Sequence, residues 1–210
     1  MANANRPSGF TPVGYLNGSA YNGAGRIYSI AASYGTALYI GDPVISAGSA
    51  DSFGIPTIAI GGTTGALRGV IVGLANSGKT TASQNAQTSL FNFTNPNITY
   101  RPASDANVWY ALVADDPNII FRVQEESNGT QLAATEVGLN QISKSGTGNG
   151  YLSGWMIPSA TGATPNTTAT LQLRLLNLSQ IPNNAFGAYA KWDVQINVHE
   201  LGHGTGAAGV

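Results

Sequence analysis

Between Lys191 and His199 the sequence alternates without a slip. Trp192, Val194, Ile196 and Val198 share one parity; Lys191, Asp193, Gln195, Asn197 and His199 share the other. Successive side chains of a pleated strand leave on opposite faces, so this pattern describes a strand with one buried and one wet face. A strand needs a partner, and the preceding stretch supplies one. Leu171, Leu173 and Leu175 alternate with Gln172 and Arg174, then the phase changes at Leu175-Leu176 and Leu178 falls on the opposite parity. That phase change reads as a β-bulge or as a strand buried on both sides. Pro182, Asn183, Asn184 and Gly187 supply turn chemistry between the two. The stretch from Thr170 to Leu201 therefore reads as a hairpin, and the chain as a β protein.

Composition points the same way. Charged residues make up 9% of the 210-residue chain, against roughly 25% in an average soluble domain. Helices rely on Glu, Lys, Arg and Ala for their exposed faces, so a surface built from Asn, Thr, Ser, Gln and 27 glycines is poor helix material. A net charge of −1 argues against nucleic acid or an acidic membrane as partner. The absence of cysteine removes disulfides and thiolate chemistry and leaves the compartment open. No apolar run approaches the ~20 residues of a membrane helix, and the first residues lack the charged and apolar regions of a signal peptide.

Read in order, residues 1–25 form an extended N-terminal arm, punctuated by Pro7, Gly9, Pro12, Gly14, Gly18, Gly23 and Gly25. It also carries Phe10, Val13, Tyr15, Leu16 and Tyr21, so it is expected to pack on something rather than to remain disordered. Residues 26–210 read as a single β domain with long loops. Strands are expected at Arg26–Ala31, Ala37–Ile40, Val44–Ser46, Pro56–Ile60, Leu67–Leu74, Asn107–Ala114, Ile119–Glu125 and Tyr151–Ile157. Asn76 to Pro96 is a long polar loop, and Thr130–Asn140 is the one plausible helix, ended by Gly138. Strands about ten residues apart predict an all-β fold, an antiparallel barrel or jelly-roll-like sandwich with at most one or two short helices.

Two motifs compete with that reading. Gly73 to Thr80 matches GxxxxGK[ST] after the strand-like Val70-Ile71-Val72, and Asp115-Asp116 follow a second apolar run. A phosphate cradle requires a helix beginning near Gly78, whereas the following residues are poor helix formers with no apolar stripe. His199-Glu200-Leu201-Gly202-His203 matches H-E-x-x-H. Zinc binding needs both imidazoles on one helical turn, but His199 closes an alternating strand and Gly202, Gly204, Gly206 and Gly209 follow. In a continued strand the two histidines would stand roughly 13 Å apart. Both motifs are therefore read as incidental, with no cofactor, no metal and no enzyme activity expected. Asp115/Asp116 and Glu125/Glu126 read as turn and edge carboxylates, and Trp109, Trp155 and Trp192 as core.

Several segments resemble a group of tailed-bacteriophage virion proteins encoded beside the major capsid protein, taken as head decoration or cement proteins. They are RPSGFTPVGYLNGSAYNG, YIGDPV with the following GIPT, LRGVIVG, NITYRPA, YALVADDPNIIFRVQEE, EVGLN and NAFGAYAKWDVQINVHELG, in matching order over most of the chain. The resemblance implies a structural virion protein, made in the bacterial host cytoplasm, that binds the capsid exterior and cements major capsid protein subunits. It further implies a symmetric homo-oligomer, a trimer in preference to a dimer, with neither nucleic acid nor membrane as partner. The arm residues Pro7, Phe10, Pro12, Val13 and Tyr15 are the expected contacts with the capsid or a neighbouring protomer; the alternative is that the arm folds back onto its own domain. From a different class, a phage or bacterial carbohydrate-binding adhesin module also fits a surface rich in Tyr and Asn.

Overall fold

The structure, a computed structural model, describes residues 3–76, 97–202 and 205–209. Among them the strands are β1 (Thr11–Tyr15), β2 (Arg26–Ile30), β3 (Leu38–Tyr39), β4 (Pro43–Ala50), β5 (Pro56–Ile60) and β6 (Gly69–Asn76). The second half adds β7 (Tyr100–Arg101), β8 (Trp109–Ala114), β9 (Ile119–Gln124), β10 (Asn140–Gln141), β11 (Leu173–Leu178) and β12 (Lys191–Ile196). The chain is nearly all β, with several sheets in a sandwich-like arrangement.

The expected hairpin is β11–β12, and its bulge lies where the apolar phase changes. Leu173 pairs with Ile196 and Leu175 with Val194, Leu176 is skipped, and Asn177 and Leu178 pair with Asp193 and Trp192. Trp192, Val194 and Ile196 are buried while Lys191, Asp193 and Gln195 are half-buried, so the alternation assigned the faces correctly. The wet face ends at Gln195. Asn197 and His199 are buried because the chain leaves the sheet after Ile196, and the Asn197 amide ties it to the carbonyls of Ala169 (2.8 Å) and Leu171 (2.9 Å). The hairpin belongs to a five-stranded antiparallel sheet of order β1-β9-β12-β11-β10. Its apolar face holds Phe10, Phe121, Val123, Leu132, Trp155, Leu175 and Trp192.

The other principal element is a closed barrel of order β2-β5-β4-β6-β8. Tyr28, Ile30, Leu38, Val44, Ile58, Ile71, Leu74, Trp109, Ala111 and Val113 fill it. The barrel is not wholly antiparallel: β2 and β5 run parallel, through Ser29 and Thr57. β6 and β8 are buried on both faces. Ile71 and Leu74 point into the barrel while Val70 joins the core beneath the sheet, and Ala111 and Val113 divide from Ala114 in the same way. This explains why Val70-Ile71-Val72-Gly73-Leu74-Ala75 reads as a continuous apolar run rather than an alternation. The turn at 115–118 carries the chain from β8 in the barrel to β9 in the sheet.

Three expectations are corrected. Thr130–Asn140 is not a helix: its helical part is a single 3₁₀ turn at Ala134–Glu136, and Asn140 opens β10. Leu132 is drawn into the core with its amide on the Glu125 carboxylate (2.7 Å), and Gly138, at φ 89°, turns its amide to Leu175 O (2.8 Å). Tyr151–Ile157 is not a strand. Asn149 Oδ1 accepts from the amides of Tyr151 and Leu152 to hold a turn there, and only Met156 and Ile157 reach bridges, to Lys144 and Glu125. The arm, finally, contains an element after all: Thr11–Tyr15 is the edge strand β1, paired with β9 and bulged between Pro12 and Gly14. An edge tolerates Pro12 because the ladder hydrogen bond it cannot donate is not needed there. The loop expected at Asn76 to Pro96 falls, beyond Asn76, outside the described residues.

Candidate functional site

The N-terminal segment was the predicted contact surface, and it is docked on its own sheet. Asn3 exchanges side-chain hydrogen bonds with Ala185 and donates to Ala188 O (2.9 Å). The Arg6 amide donates to Gln124 Oε1 (2.8 Å), and Gln124 Nε2 donates to Asn5 Oδ1 (2.9 Å). Gly9 takes φ 67°, and a Cβ there would stand 2.3 Å from Gly41 O and 2.4 Å from Ser153 Oγ, so only glycine allows this approach. Phe10 is then delivered into the core, 2% exposed and edge-on to Phe121 at 6.5 Å. Phe10 is thus a core residue here rather than a contact residue. Pro7, Pro12, Val13 and Tyr15 are half-buried and retain an outer side, with Tyr15 tilted on Tyr21 at 6.1 Å.

The titratable groups that the sequence offered as chemistry act as cross-braces. Asp115 accepts from the Tyr28 hydroxyl (2.6 Å) and faces Arg26 (3.6 Å). Glu200 accepts from the amide and hydroxyl of Ser46 and pairs with Arg68 at 3.1 Å. With the Leu67 amide on Val198 O and the Glu200 amide on Leu67 O, both 2.9 Å, this fixes the C-terminal stretch to the barrel. Burial pushes the His199 imidazole below its usual pKa; Nδ1 accepts from the Leu201 amide (3.0 Å), which leaves the proton on the buried Nε2. The stretch around His199 is bridged to Leu67 rather than helical, and His203 lies outside the described residues.

Glu125 and Glu126 are buried, not edge residues. Glu125 accepts from Leu132 N and from Trp192 Nε1 (3.0 Å), and burial pushes its pKa up to about 7, with smaller contributions from Glu136 and Glu126. That value would suit a general acid. Its side chain is fully buried, however, and each carboxylate oxygen accepts one N–H. Glu126 pairs with Lys144 and accepts from the Ser159 amide. Trp109, Trp155 and Trp192 are all core. In the GxxxxGK[ST] stretch, Gly73 to Asn76 belong to β6 and pair with β8, from Leu112 to Trp109. They form a sheet ladder rather than a cradle, and Gly78, Lys79 and Thr80 lie outside the described residues.

What reaches solvent is of another kind. Tyr151 is 70% exposed beside Leu152, and Leu16, Ile40, Phe53, Phe186 and Leu201 are exposed on turns and loop edges. Of these, the sequence offered only Leu16, within the arm, for packing on something, and it placed Tyr151 and Leu152 in an expected strand. An open cleft of about 910 Å³ lies beside the barrel, where Ser29, Ser49, Thr57, Asn107, Asp51 and Phe53 meet. Asp51 there accepts from the Tyr110 hydroxyl (2.7 Å) and from two turn amides. No family, curated protein or solved structure matches the chain.

Proposed function

We propose that this protein is a structural virion protein that binds the outer surface of a bacteriophage capsid and cements major capsid protein subunits, acting as a homo-oligomer, a trimer in preference to a dimer. One contrast carries the reading. Carboxylates and the described histidine are used to brace the fold, while large apolar side chains stand on turns held in shape by hydrogen bonds. Tyr151 and Leu152 are the clearest case, fixed by the Asn149 carboxamide. An aromatic on a preshaped turn loses little conformational freedom on docking and gives much contact area. The half-exposed Pro7, Pro12, Val13 and Tyr15 extend that surface along an arm already ordered by its own sheet. Cosedimentation with undecorated capsids tests the reading: the wild type should bind saturably, and Y151S/L152S should bind at least about tenfold more weakly with an unchanged melt. Absence of wild-type binding contradicts it.

The open cleft favours a second reading, a carbohydrate-binding module. Its hydroxyls, its amide from Asn107 and the rim residue Phe53 are groups that hold sugars. An oligosaccharide array separates the two, since specific glycan binding without capsid binding selects the adhesin.

A further inference from the structure

Beside the N-terminal segment runs a groove in two joined compartments of about 380 and 190 Å³, sharing Ile181 and Lys191. One wall is the segment itself, with Arg6; the other is the turn between β11 and β12; the far end reaches Arg122. Its charge is unusual for this chain. Arg26, Arg68, Arg122 and Lys144 each face a carboxylate, and Arg101 and Arg174 are spent on backbone carbonyls. Among the described residues, Arg6 and Lys191 are the basic side chains left without an acidic or hydrogen-bonding partner, and both line this groove. No Asp or Glu lines either compartment. The rim is also held in costly geometry at Tyr189, a lining residue that takes φ of 60°. A bulky side chain rarely adopts that region without a surrounding structure that enforces it.

We infer that this groove binds an acidic peptide segment of a partner protein, with Arg6 and Lys191 each taking a carboxylate. The shape selects this class over a small free anion. Two cations from separate segments, lining a groove of two joined compartments, suit two charges on one chain, and Ile181, Pro182 and Val13 offer apolar surface to the methylenes between them. The same observation argues against nucleic acid, because two cations on a chain of net charge −1 neutralise too few phosphates. This inference stands on the groove alone and not on the capsid reading.

Fluorescence anisotropy with a labelled octaglutamate peptide tests it on the full-length protein. The wild type should bind, and binding should weaken between about 20 and about 300 mM salt as screening shortens the reach of both charges. R6Q and K191Q should each weaken binding, and the double variant should weaken it about five- to tenfold and flatten the salt response. Arg6 is exposed and uses its backbone amide to dock, so these variants should keep the wild-type melt. The inference is overturned if the wild type does not bind, or if the double variant binds equally well. It is also overturned if inorganic phosphate displaces the peptide at matching concentration, or if an oligothymidylate of equal length binds as tightly.

Discussion

Replacing Trp192 tests the packing on which the sheet depends. The side chain is fully buried at the centre of the core, its ring 5.7 Å from Phe186 and its N–H 3.0 Å from Glu125 Oε2. A buried tryptophan removes roughly 150–250 Å² from water, which at about 25 cal/mol per Å² amounts to about 4–6 kcal/mol. Trp192→Ala should accordingly cost about 3–5 kcal/mol. Trp192→Phe separates the two contributions. It keeps most of the apolar contact but leaves one oxygen of the enclosed Glu125 carboxylate without its donor, at a cost of about 1–3 kcal/mol. Lys191→Ala, on the opposite face, should change stability by no more than about 0.5 kcal/mol. Urea melts followed by far-ultraviolet circular dichroism measure all three. If Lys191→Ala costs more than Trp192→Ala, the register of β12 is wrong by one residue. If Trp192→Phe matches the wild type, the hydrogen bond to Glu125 contributes nothing.

Other expectations follow from particular contacts. Arg101 is fully buried with its fork on the carbonyls of Ala31, Tyr34, Thr36, Pro102 and Asp105; Arg101→Lys cannot span them and should cost about 2–3 kcal/mol in the same melts. Glu125 binds its proton more tightly folded than unfolded, so its contribution to stability should fall as pH rises from about 4.5 to about 7, by no more than about 1.4 kcal/mol per pH unit. Measuring wild type against E125Q across that window isolates the effect, because the opposing loss from His199 below its usual pKa is common to both; a constant difference between the two proteins refutes it. Deleting residues 2–13 removes Phe10 and three of the five residues of β1 and should lower the melting temperature sharply, whereas deleting residues 2–5 should leave it nearly unchanged. Equal melts for the two truncations would mean that Phe10 does not hold the segment.

The parts of the fold that were legible in the sequence are those where one face is buried and the other wet. The β12 alternation gave its facing from Lys191 to Ile196, and the phase change at Leu175-Leu176, legible as a bulge or as a doubly buried strand, falls where the bulge lies. β6 and β8 were legible as strands but not as walls shared by two cores, because a doubly buried strand carries no period that tells its faces apart. Local pattern misled where a tertiary contact was stronger. Leu132 and Glu136 have helical spacing, yet the Glu125 carboxylate captures the Leu132 amide and Leu132 is buried, which no window of neighbouring residues reveals. The arm follows the same logic: Thr11–Tyr15 has too many Gly and Pro residues to suggest a strand, but β9 offers it an edge where those residues do little harm. The groove is not legible in the sequence, since Arg6 and Lys191 stand 185 residues apart and are brought together by the docking of the N-terminal segment on Gln124, Ala185 and Ala188.

The reading of this chain as a capsid cement rests most directly on its abundance in particles. Quantitative mass spectrometry of gradient-purified virions, released from cells that produce this chain, measures the ratio of its peptides to those of the major capsid protein. A cement protein should be present in a fixed ratio comparable to the number of capsid subunits, and it should leave the particles only under conditions that also weaken the shell. Absence from the particles, or presence in only a few copies, would contradict the reading.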